Sequence, residues 1–162
     1  MVTRIIPPPP PSWESWEACM LLALQEARQG ALLGEIPVGA LVISPQGNIL
    51  GRGHNKCLTE NDPTGHAEIV ALRQAAKTVK NYRLTGCYLV VTLEPCLMCT
   101  GAIAHARLGG LIYGAYDLKS GAVDTCLDGL ELPLHNTSVW HMGGILENEC
   151  AALLNNFFAP KR

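Results

Sequence analysis

Two short stretches hold residue types that do chemistry together. His66-Ala67-Glu68 is followed, thirty residues after His66, by Pro95-Cys96-Leu97-Met98-Cys99. Each lies where the sequence predicts a helix to begin. Cysteines three apart on a helix sit about 60° apart around it, so both sulfurs reach one ion. The partial positive charge of a helix N-terminus favours the thiolate form. One imidazole nitrogen and two thiolates make a three-ligand set suited to Zn²⁺. The fourth tetrahedral position stays open for water, which is the pattern of a catalytic rather than a structural site. Glu68 need not ligate; it can hold a proton beside that water and pass it to a leaving group. A redox dithiol leaves His66 and Glu68 unexplained. A closed zinc ribbon needs a second ligand pair, and none is spaced for it. A zinc module serving only as scaffold has no use for Glu68.

The elements around these residues follow from pattern. Ser12 or Ser15 caps a first helix with Trp13, Trp16, Met20, Leu24, Ala27 and Ala31 on one face, ended by Gly30 and Gly34. Val38 to Ile43 and Ile49 to Asn55 read as an antiparallel strand pair joined by a Ser-Pro-Gln-Gly-Asn turn. A second helix opens near His66, with Thr64 as its cap and Ile69, Leu72, Ala76 and Val79 as its apolar stripe. Strands follow at Cys87 to Leu93, Leu111 to Ala115 and Val139 to Met142. A third helix starts with Pro95 in its first turn and runs to about Arg107, and a last one carries Leu146, Cys150, Leu153, Leu154 and Phe157. The 23-residue link between strands four and five leaves room for a crossover, so that pair is expected to be parallel. The predicted fold is a three-layer α/β/α sandwich: a five-stranded mixed sheet with its first two strands antiparallel, flanked by helices.

Composition sets the outer limits. The 162 residues suit a single domain at 12–162, preceded by a disordered proline-rich arm at 1–11 that holds Pro7 to Pro11. Charged residues are only 16% of the chain, low for a protein with no partner. The net charge of −2 disfavours nonspecific nucleic-acid binding, although residues 51–119 hold eight basic side chains against five acidic ones. No apolar run reaches the ~20 residues of a membrane helix, and the first residues lack a signal-peptide core, so a leaderless cytoplasmic protein is expected. Seven cysteines, only two of them close in sequence, do not form a disulfide framework; the five isolated ones are expected to be buried as small apolar side chains.

The His-x-Glu and Pro-Cys-x-x-Cys pair resembles that of the zinc-dependent cytidine/deoxycytidylate deaminase superfamily. Within it the chain is most similar to the bacterial tRNA-specific adenosine deaminases, on Gly34 to Ala40, Asp62 to Gln74, Tyr82 to Arg107, Gly114 to Ala122 and Glu149 to Leu154. The resemblance implies one zinc per chain on His66, Cys96 and Cys99, with Glu68 as proton shuttle. Water activated there would attack C6 of the wobble adenosine in a tRNA anticodon stem-loop, and the amine would leave as ammonia, giving inosine. It further implies Asn55 on the base, Asp117 on the RNA beside it, Phe158 near the extruded nucleotide, and a homodimer that grips the loop. Leu97, Ile103 or Ala104 would contribute to the dimer interface. Plainer roles stay open: Asn55 in a turn, Asp117 as the cap of a short helix, Phe158 in packing. Relatives that act on a free base such as guanine share the metal motifs, and that activity is the alternative.

Overall fold

The computed structural model describes residues 6–161. In chain order the elements are α1 (Trp16–Leu32), β1 (Gly39–Ile43), β2 (Ile49–His54), α2 (Ala67–Val79), β3 (Tyr88–Leu93), α3 (Leu97–Ala106), β4 (Gly110–Ala115), β5 (Trp140–Met142) and α4 (Glu147–Phe158), closed by a 3-10 turn at Ala159–Lys161. The strands form one sheet in the order β2-β1-β3-β4-β5. β1 is antiparallel to β2 and β3, whereas β3, β4 and β5 are parallel. Both strand-direction expectations hold.

Period-2 alternation sends each strand's apolar side chains to two separate cores. Ala40 and Val42 of β1, Leu89 and Val91 of β3, and Leu111 and Tyr113 of β4 pack with α2 and α3. Leu41, Ile43, Val90 and Ile112 face Trp16, Met20 and Leu24 of α1 and Cys150 of α4. The result is the expected three-layer arrangement. Ser15 caps α1, its hydroxyl accepting from the Ala18 N–H at 3.1 Å.

Helix α2 differs from its predicted face. Val79 is exposed, and the buried row is Ala67, Ala71 and Ala75 together with Glu68, Ile69 and Leu72. The reason lies on β2. A Cβ on Gly53 would stand 2.5 Å from the Ala67 carbonyl oxygen, and one on Gly51 would stand 2.3 Å from that of Ala71. Strand glycines and helix alanines let the two backbones touch, which brings the start of α2 down onto the strand end at Asn55. Thr64 does not cap this helix. Its hydroxyl and N–H bond Asp62 at 2.7 and 2.8 Å, and the Asn55 side-chain oxygen accepts from Ala67 N–H at 2.9 Å instead. Pro95 also falls outside the first turn: Cys96 holds the cap position of α3, and the Pro95 carbonyl accepts from Ala122.

The proline segment, expected to be free in solvent, lies against the domain where it is described. The Trp16 indole donates to the Pro7 carbonyl at 2.9 Å, the Trp13 N–H donates to Pro10, and Pro10 is buried. Tryptophan offers an apolar face and one donor, matching prolines whose carbonyls have no strand or helix partner. Residues 1–5 of that arm lie outside the described residues. Among the isolated cysteines, Cys19, Cys87 and Cys150 are buried, but Cys57 is half-buried and Cys126 exposed, both on loops. No helix among the described residues is long and apolar enough to cross a membrane.

Candidate active site

His66 and Cys96 occupy equivalent places, the extended cap residues of α2 and α3, with φ of −72° and −77°. Cys99 follows one turn into α3 and is fully buried. His66 Nδ1 lies 3.5 Å from the Sγ of Cys96 and 3.5 Å from that of Cys99. The three candidate ligand atoms lie within 4.8 Å of one another. Tetrahedral zinc with Zn–S near 2.3 Å and Zn–N near 2.0–2.1 Å requires an S···N separation of about 3.5 Å. The donor set therefore fits this ion in number, type and spacing.

The charges agree. A hydrogen bond from the Cys99 thiol, opposed by burial and helped by His66, brings the Cys96 thiol down to about 4. Cys99 is driven up by the Cys96 thiolate and by burial, and the Cys96 bond raises His66. The two sulfurs thus compete for a single ionisation, and a dication held by both would let both ionise.

Glu68, in the first turn of α2, is 4% exposed. Burial pushes its carboxyl up to about 7, against the pull of its own backbone N–H and of His66. A carboxyl titrating near neutrality is suited to moving protons at physiological pH. Asn55 is buried beside it. Its oxygen is committed to the Ala67 N–H, which leaves the two amide hydrogens to serve a ligand. These groups share a cleft of about 200 Å³ lined by Ile36, Val38, Asn55, His66, Glu68, Leu93, Glu94, Cys96, Asp117 and Ser120.

The sequence matches the MafB19-like deaminases over residues 14–162. It is 44% identical to the tRNA-specific adenosine deaminase of Haemophilus influenzae, over 90% of this chain and 84% of that one. It is 37% identical to the protein of that name from Bacillus subtilis, over 90% of each. The chain belongs to the tRNA-specific adenosine deaminase family. The solved structure of a tRNA:A34 deaminase superposes with a TM-score of 0.81 at 40% identity, over 83% of this chain and 97% of that one. A guanine deaminase from Nitrosomonas europaea shares the fold at a TM-score of 0.78 and 24% identity.

The remaining predicted residues of the deaminase divide. Asp117 lines the cleft, but its carboxylate also organises the turn that follows: Oδ1 accepts from the N–H of Lys119 and Ser120 at 2.9 and 3.1 Å, and Oδ2 from the Ser120 hydroxyl at 2.7 Å. Burial works against the charge there, yet those bonds prevail and hold Asp117 below the ordinary carboxylate range. It caps a turn and not the short helix considered from sequence. Phe158 stands at the end of α4, packs edge-on against Phe157 at 5.3 Å, and is not among the residues lining the cleft. Ile103 is fully buried in the core and Ala104 nearly so, whereas Leu97 and Met98 are exposed. Only Leu97 of the three proposed interface residues therefore offers its side chain to a partner.

Two buried glutamates escaped the sequence reading. Glu35 accepts from Leu58 and Thr59 N–H at 2.9 and 2.7 Å, pinning the loop that leads to His66. Glu94 accepts from the segment 117–125 on the other side of the cleft. Their partners are backbone groups of distant loops and, for Glu94, the Thr125 hydroxyl, which no side-chain spacing reveals. The only signal was an acid inside otherwise apolar surroundings, beside Ile36 and Pro95.

Proposed function

We propose that this deaminase hydrolyses adenosine to inosine at the wobble position of a tRNA anticodon loop, with one zinc per chain on His66, Cys96 and Cys99. The observation that carries the chemistry is the buried Glu68 in one cleft with His66 and Cys96 of the three-ligand set. The substrate reading is supported by the relatives named for tRNA, which match nearly end to end. Zinc in that position supplies Lewis acidity that makes water nucleophilic near neutral pH. Glu68 takes a proton at its carboxylate and returns it to the exocyclic nitrogen, so adenosine and water become inosine and ammonia.

The other groups orient the base. With its oxygen held by α2, Asn55 presents donors to acceptor atoms on the purine edge. The Asp117 and Ser120 wall meets the ribose, where a carboxylate lone pair accepts a 2′-hydroxyl, a group absent from DNA. A loop nucleotide is cheap to extrude into the cleft because it is already partly unstacked. Phe158 offers an aromatic face for a flanking base. Residues 12–162 act as a single deaminase domain and pair as a cytoplasmic homodimer, for which the exposed Leu97 and Met98 beside the metal ligands supply apolar surface.

The test is inosine formation in a purified anticodon stem-loop, run beside free adenine, adenosine and guanine. Turnover of the stem-loop with little on the free compounds supports the reading. Rapid guanine turnover with none on RNA replaces it with the free-base alternative.

A further inference from the structure

We propose that Glu94 is a positioning residue that fixes the substrate wall of the cleft, Asp117 to Thr125, against the start of the metal-bearing helix α3. This rests on the function proposed above. Glu94 is 2% exposed and two residues from Cys96. Its Oε1 accepts from the N–H of Val123, Asp124 and Thr125 at 3.1, 2.8 and 2.9 Å. Its Oε2 accepts from the Asp117 N–H at 3.0 Å and from the Thr125 hydroxyl.

Five donors on two carboxylate oxygens exceed the roughly four lone-pair sites available, so no acceptor capacity remains for a substrate. Glu94 lines the cleft but acts through other groups. The backbone on either side reinforces the clamp. Glu94 N–H donates to Ala115 at 2.8 Å, and Ala122 N–H donates to the Pro95 carbonyl at 2.8 Å. Gly121 passes so close that a Cβ there would stand 2.4 Å from Oε2. Residues 117–125 form turns and irregular backbone, with no sheet ladder or helix to supply partners for these N–H groups. N–H groups turned in from solvent need an acceptor, and one anion satisfies four of them at once. Because that anion is built into the chain beside Cys96, its side chain and the two flanking backbone bonds together set the distance from the metal ligands to Asp117 and Ser120.

Glu94→Gln leaves one acceptor oxygen for five donors and turns an NH₂ toward N–H groups. We expect KM for the stem-loop to rise about ten- to a hundredfold, the order of effect of losing one charge-assisted contact between that wall and the substrate. Metal content should stay at one per chain and kcat should change less than KM. Hydrogen exchange at the amides of Asp117, Val123, Asp124 and Thr125 should accelerate while those of α3 keep their protection. A purely structural Glu94 would lower the folded fraction and the apparent kcat in proportion, with KM unchanged; that result overturns the proposal, as does unchanged exchange at the four amides. Should Glu94→Gln fail to fold, Thr125→Val decides in the same way. It removes one donor to Oε2 and should raise KM about two- to tenfold, and an unchanged KM overturns the proposal. If the wild type leaves the RNA untouched, the function reading falls, whereas exchange and KM on the base it does accept still decide the role of Glu94.

Discussion

Replacing Gly53 with alanine should shift helix α2 and, with it, two of the groups the chemistry needs. The new Cβ would stand 2.5 Å from Ala67 O, 2.8 Å from Ala71 N and 2.9 Å from Val70 Cβ. Two of these are backbone atoms, so no side-chain rotation relieves the contact. Restoring ordinary separation requires α2 to retreat by about 0.5–1 Å. Overpacking of this kind costs about 1–3 kcal/mol, or about 3–10 °C in Tm for a chain of this size. Ala67 sits between His66 and Glu68, so the retreat displaces both, and an error approaching 1 Å costs about a hundredfold in turnover. Circular dichroism melts, metal analysis and turnover on the stem-loop measure the three consequences. Gly101→Ala is the control, since its Cβ meets nothing within 4 Å, and it should be neutral or slightly stabilising because alanine favours helix. Wild-type Tm and turnover in Gly53→Ala would refute the close-contact argument. A lowered Tm with full turnover would show that the far end of α2 yields instead.

Cys96→Ala and Cys99→Ala should each lose zinc by elemental analysis and melt at lower temperature, because metal binding and folding are linked at a site joining two helix starts. Asp117→Asn keeps an acceptor for the turn at 118–120 but loses charge-assisted bonding, so it should cost about 1 kcal/mol at pH 7. Since the folded-state carboxyl is held below its ordinary value, that difference exists above the ordinary carboxylate pKa and should disappear as pH falls through the folded value, as denaturant titrations across pH would show. The same variant should narrow the preference for RNA over a matched DNA loop. Light scattering at micromolar concentration should give about twice the 17.4 kDa chain mass, and a Leu97→Glu, Met98→Glu double variant should shift it toward monomer.

What the sequence revealed and what it hid separate along physical lines. His66, Glu68, Cys96 and Cys99 were legible because their side chains must converge and helix geometry limits the spacings that allow it. The strand alternation was legible for the same reason, as each apolar residue answers to a near neighbour. The face of α2 was not: hydrophobicity favoured Val79, but the contact is made by Ala67, Ala71 and Ala75 against glycines, where fit depends on small volume. Asn55 was legible as a residue of the cleft but not as the acceptor for the first N–H of α2, because that bond exists only once the helix start descends onto β2. Glu35 and Glu94 were hidden because their partners, mostly main-chain donors, lie 23 to 31 residues away. The docking of Pro7 and Pro10 likewise depends on tertiary acceptors that composition does not show.

Glu68→Ala, assayed for bound zinc and for inosine formed in an anticodon stem-loop, tests the central claim most directly. The account predicts zinc retained at the wild-type level and turnover lower by about 10²–10⁴-fold, the usual contribution of a general acid–base group. Turnover close to wild type with zinc in place would contradict it.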